Sequence, residues 1–123
     1  MTEMLEEGIE IADGEVRESF ESIWSEVVGE MPKNYRIMIW GSTVEERRDP
    51  VDLDIIFEYE TDYSVSPEQE ESIEGWLKSE VRIDNFSYID PLVVNYIELP
   101  SIISRSRVSR VYSVDEDGWV EFD

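Results

Sequence analysis

An α+β domain, a small mixed β-sheet with helices packed on one face, is the fold this sequence predicts. Three observations lead there. Apolar residues recur at helical spacing after Asp13 and again after Pro67. Short runs with strand character stand at 35–40, 51–59 and 81–86. The link between the first two runs is too short for a crossover helix, so that pair is antiparallel, while a helix separates the second run from the third. No linker or repeat interrupts the 123 residues, so one domain, 1–123, is expected.

Each element has its own signal. Val16, Phe20, Ile23, Trp24, Val27 and Val28 form one apolar helical face, and Glu15, Glu18, Glu21 and Glu26 line the other. Gly29, Pro32 and Asn34 stop that helix. Tyr35 to Trp40 is a near-continuous apolar run that suits a buried strand, with Trp40 expected in the core. From Val51 the pattern alternates, with Val51, Leu53 and Ile55 on one side and Asp52 and Asp54 on the other. Ser66-Pro67-Glu68-Gln69 is a capping-box helix start, and Ile73, Trp76 and Leu77 follow on its buried face. Val81 to Phe86 alternates again and is the expected third strand. Asp90-Pro91 opens a last helix carrying Leu92, Val93, Tyr96, Ile97 and Leu99, closed by Pro100. Val111 to Ser113 and Trp119 to Phe122 flank an acidic turn and predict a terminal hairpin. Residues 1–12 fit a short helix or an edge strand.

Composition excludes several chemistries. There is no Cys, which removes disulfides, thiol catalysis and Cys-ligated zinc, and no His, which removes a His-dependent triad. Thirty-one acidic residues against ten basic ones give a net charge of −21. Such a surface repels itself at low salt, and molar salt shortens the Debye length to roughly 3 Å. A halophilic cytoplasm is therefore the expected home, with a virus-encoded or virion component as the alternative. The acids run from Glu3 to Asp123 rather than in one block, which favours solvation over a decoy for a basic partner. Duplex nucleic acid is a poor partner for this charge. No stretch approaches the ~20 apolar residues of a membrane helix, and the acidic N-terminus lacks a signal-peptide pattern.

One constellation could carry chemistry. Residues i and i+2 of a strand share a face, so Asp52 and Asp54 project side by side. Two close carboxylates repel, and a divalent cation resolves the repulsion; Mg²⁺ takes such oxygens together with substrate phosphates. Gly41-Ser42, at the end of the preceding strand, offers exposed N–H groups and a hydroxyl to a triphosphate. Asp84, flanked by Ile83 and Phe86, is the expected third carboxylate.

Gly41-Ser42, nine residues, Asp52-Leu53-Asp54, then Asp84 in a later strand resembles the pattern of the DNA polymerase β-like nucleotidyltransferase superfamily, in particular its minimal members. The resemblance covers roughly residues 13–113. It implies a nucleotidyltransferase fold and a metal-dependent enzyme that moves an NMP from an NTP, ATP being the expected one, to a hydroxyl on a protein or small molecule. Asp52, Asp54 and Asp84 would be the catalytic and metal-binding residues, with two Mg²⁺ ions possible. Gly41, Ser42, Arg47 and Arg48 would hold the nucleotide. It also implies a separate protein partner or acceptor. Many minimal members continue Gly-Ser with a small residue, an Arg and a Gly. Here Thr43-Val44-Glu45-Glu46 lacks that Gly and carries two acids, leaving Arg47 or Arg48 to supply the cation. The alternative is a non-catalytic binding or assembly subunit with the same fold. Arg105, Arg107 and Arg110 form the densest basic cluster, and Trp119 is expected to be half exposed at an interface.

Overall fold

The computed structural model describes residues 12–40, 52–60, 65–82, 88–95, 99–105, 110–116 and 118–121. A π-helical turn, Ala12–Val16, leads into α1 (Arg17–Val27). Then come β1 (Tyr35–Trp40), β2 (Asp52–Tyr59), α2 (Pro67–Glu80), β3 (Tyr88–Asn95), α3 (Leu99–Arg105), β4 (Arg110–Ser113) and β5 (Gly118–Glu121). The strands form one mixed sheet in the order β3-β2-β1-β4-β5. β2 and β3 are parallel, as the intervening helix requires, and the other neighbours are antiparallel.

Strand alternation divides the sheet into two faces. Ile37 and Ile39 of β1, Leu53, Ile55, Phe57 and Tyr59 of β2, and Ile89 and Val93 of β3 meet Phe20, Ile23 and Trp24 of α1 and Ile73 and Leu77 of α2. This is the main core, and α1 and α2 both lie on that face. Phe20 stacks on Phe57 with ring centroids 4.3 Å apart and planes 11° from parallel, and Trp24 meets Tyr59 edge-on at 5.0 Å. Full burial of each such side chain stabilises the fold by about 1.5–3 kcal/mol. On the opposite face Met38, Ile56, Val94 and Val111 gather around Leu99 of the short α3, with Trp40, Leu92 and Ile102 packed at the margin.

The helix boundaries follow local chemistry. Gly29 sits at φ 103°, a left-handed conformation that lets the backbone turn out of α1. Val28 and Gly29 both donate to the Trp24 carbonyl, at 2.8 and 3.2 Å. At α2 the capping box forms as expected, with Gln69 N donating to Ser66 Oγ at 3.2 Å and Ser66 N donating to Gln69 Oε1 at 2.9 Å.

The third strand departs from expectation. Val81 and Arg82 leave α2 as irregular chain, residues 83–87 lie outside the described residues, and the strand is Tyr88–Asn95. The helix expected from Asp90-Pro91 is therefore a strand. Proline is tolerated there because β3 is an edge of the sheet among the described residues. In a parallel ladder the N–H groups point alternately to either side, and that of Val93 turns away from β2 to Glu74 Oε2, at 2.7 Å. Pro91, two residues earlier, faces the same open edge, so its missing N–H costs no ladder bond.

Glu74 also carries a pH signature. Burial pushes its carboxyl above the usual range, and the charges of Glu70, Glu71 and Asp90 add to this, against the Val93 N–H bond, which opposes it. A raised acid favours the fold most below the ordinary carboxylate range, and that contribution is lost as pH rises through the shifted value. Glu74→Gln keeps an acceptor for Val93 and removes the charge. It is expected to melt above wild type at neutral pH, with the difference closing on acidification; calorimetry of both proteins across that range checks this.

Candidate functional site

β1, β2 and β3 converge on one polar row at the end of the second face. Trp40 is the last residue of β1 and stands opposite Asp54 of β2; Asp54 stands beside Asp90 of β3. The next row inward, Met38, Ile56 and Leu92, is apolar, and all three belong to or border the smaller core. By the pleat, the row of Trp40, Asp54 and Asp90 shares that face. Asp54 is half-buried, with a polar or electrostatic interaction of its own, and Asp90 is exposed. Neighbouring strands lie about 4.8 Å apart. Two in-register carboxylates at that spacing repel in the absence of a cation and can share one whose oxygens sit at about 2.1 Å.

The expected site residues divide into two groups. Asp54 stands where the alternation places it. Asp52 opens β2 opposite Tyr88, and its side chain lies outside the described residues. Gly41, Ser42, Arg47, Arg48 and Asp84 also lie outside them, as do Arg107 and the side chains of Arg105 and Arg110. Among the described residues no three acidic groups converge on one point. The acid beside Asp54 is Asp90, which local sequence rules make a helix cap. The signal for a strand is present in Ile89-Asp90-Pro91-Leu92-Val93-Val94, a short apolar run in which half the residues are β-branched.

Trp40 adds a second feature. Its ring borders the smaller core, and its Nε1 is buried without a hydrogen-bond acceptor. A donor left so costs about 1–3 kcal/mol. Among the described residues other buried aromatic polar groups are satisfied. Trp24 Nε1 donates to the Glu30 carbonyl at 2.7 Å, and Tyr59 OH to Glu70 Oε2 at 2.8 Å.

A cavity of about 590 Å³ opens at the other end of the β1–β2 pair, lined by Asn34, Arg36, Glu58, Glu60 and Pro100 among others. Its polar groups are already engaged. Arg36 Nε donates to Glu58 Oε1 at 2.7 Å and Nη1 to Glu116 Oε1 at 3.3 Å, and Asn34 donates to Glu60. Size alone does not make it the site, because the in-register aspartates stand at the opposite strand ends.

No protein-family model matches the chain, and no curated protein matches it. Among solved structures, a crystal structure of a Sulfolobus solfataricus protein provisionally assigned as a nucleotidyltransferase is similar, at 19% identity. The match covers 95% of this chain and 92% of that one, with a TM-score of 0.48. No helix among the described residues is long and apolar enough to cross a membrane.

Proposed function

We propose that the chain is a metal-dependent nucleotidyltransferase whose cation sits on Asp54 and Asp90, with Asp52 as a further ligand. The observation that carries this reading is the register of Asp54 with Asp90 on one face of a parallel strand pair. The order of Gly41-Ser42, Asp52-x-Asp54 and a later strand aspartate supports it. In this reading Asp90 takes the part expected of Asp84.

The donor set suits the chemistry. Carboxylates alone, without His or Cys, favour a hard cation such as Mg²⁺. A cation held there would neutralise the triphosphate and steady the entering and leaving oxygens. The acceptor hydroxyl oxygen would bond to the α-phosphorus, the α–β phosphoanhydride bond would break, and pyrophosphate would leave. Asp90, the more exposed carboxylate, would accept the hydroxyl proton. Gly41-Ser42 would hold phosphate oxygens, and Arg47 or Arg48 would offset Glu45 and Glu46. ATP is the proposed NTP and a protein or small molecule the acceptor, with molar salt the working medium for a chain of charge −21. A segment after Ser42 that lacks the glycine and carries Glu45 and Glu46 favours a second reading, a binding or assembly subunit that holds no triphosphate.

Titration calorimetry with Mg²⁺ and ATP in molar KCl tests the first reading against the second. Wild type is expected to bind Mg·ATP, and Asp90→Asn to bind it at least about tenfold more weakly, since outer-sphere losses alone cost 10–100-fold. No heat from wild type would favour the assembly reading.

A further inference from the structure

The buried indole N–H of Trp40 has no role in the fold. It makes no hydrogen bond, whereas the indole of Trp24 does. Phenylalanine would fill most of the same space without a stranded donor. What sets Trp40 apart is its neighbour, since it is in antiparallel register with Asp54. Side chains of such a pair start about 4.5–5.5 Å apart at Cβ, within reach of an indole nitrogen and a carboxylate oxygen.

A carboxylate that binds a metal through one oxygen has a second oxygen to satisfy. Metal-binding carboxylates are generally hydrogen-bonded by an outer group that fixes their orientation. On the Asp54 row the flanks are Asp90, which repels, and Trp40, which can donate. We infer that Trp40 is the positioning residue of the site: its Nε1–H donates to the outer carboxylate oxygen of Asp54 when a divalent cation is bound. This inference rests on the metal site proposed for Asp54. It gives a role to a donor that stands at the last position of β1, in register with a carboxylate, and is buried without an acceptor. With a cation held by Asp54 and Asp90, the other carboxylate oxygen of Asp54 would be the one left for the Trp40 N–H.

The test is a Mg²⁺ titration of the full chain in molar KCl, followed by indole ¹H–¹⁵N resonances and calorimetry. The four tryptophans give four indole signals. The Trp40 signal is assigned by its loss in Trp40→Phe, or through its contacts with assigned backbone protons should that variant not fold. On Mg²⁺ binding it is expected to move downfield, as a newly bonded N–H does, while that of Trp24 stays. In Asp54→Asn the movement should vanish. Trp40→Phe should bind Mg²⁺ about tenfold more weakly yet melt no lower than wild type without metal. If wild type binds Mg²⁺ through Asp54, but the Trp40 signal is still and Trp40→Phe binds as wild type, the positioning role is wrong and the metal site stands. If wild type binds no Mg²⁺, or Asp54→Asn binds it equally, the metal site fails and the inference with it.

Discussion

Asp54→Asn is expected to abolish Mg·ATP binding and nucleotidyl transfer while leaving the apo protein as stable as wild type or more so. Asn keeps the shape of the side chain and removes the charge that a cation needs. Loss of an outer-sphere partner already costs 10–100-fold at metal sites, so loss of a direct ligand should lower transfer by at least about a hundredfold. The stability half follows from the register. Asp54 lies beside Asp90, and like charges on neighbouring strands repel. Removing one relieves that repulsion in the metal-free protein. Loss of activity with retained or raised stability marks a residue held at a cost for function. The two measurements are label transfer from α-labelled ATP and thermal melting without metal, both in molar KCl. A variant that melts clearly lower and binds Mg·ATP as wild type would make Asp54 a structural carboxylate.

The second large effect lies on the other face of the same strand. Phe57 is fully buried, stacked on Phe20, and belongs to the core that joins α1 to the sheet. Phe57→Ala removes a ring that the surrounding β-strands cannot collapse to replace. The expected loss is about 3–5 kcal/mol, from transfer and cavity together. Against the 5–15 kcal/mol typical of a domain this is a large fraction of total stability. Urea unfolding in molar KCl should show a lower midpoint with an unchanged slope. A loss under ~1 kcal/mol would mean that the site repacks. Asp54 and Phe57 have opposite side-chain parity in β2, so their effects should separate cleanly, one on binding and one on stability.

Elements with strong local signals are legible in the amino-acid sequence itself. Helical spacing from Val16 to Val27 predicts α1, Ser66-Pro67-x-Gln69 predicts the start of α2, and the run Tyr35–Trp40 predicts β1. The terminal hairpin is present, and Trp119 is the exposed aromatic that its acidic surroundings suggest, at 37% exposure. The third strand is not legible in place. Asp-Pro before an apolar run is a good helix start by local rules, and only the edge position of β3 makes Pro91 harmless. That property belongs to the sheet and cannot be seen in a window of neighbours. In that strand Asp90 is the acid in register with Asp54, and Asp84 lies outside the described residues. Asp54 is legible because alternation is local; Asp90 is not, because strand pairing is a property of distant segments. The apolar run marks Trp40 as a core residue, and its ring does border the smaller core. Its unbonded nitrogen is a feature of packing that the sequence does not reveal.

The proposed site depends above all on one cation bridging Asp54 and Asp90. A crystal structure grown with Mn²⁺ in molar KCl, with the ion located by its anomalous signal, tests this directly. One Mn²⁺ in direct contact with carboxylate oxygens of both Asp54 and Asp90 is the predicted result. An ion that binds Asp54 without Asp90, or a site with no ion at saturating Mn²⁺, would contradict it.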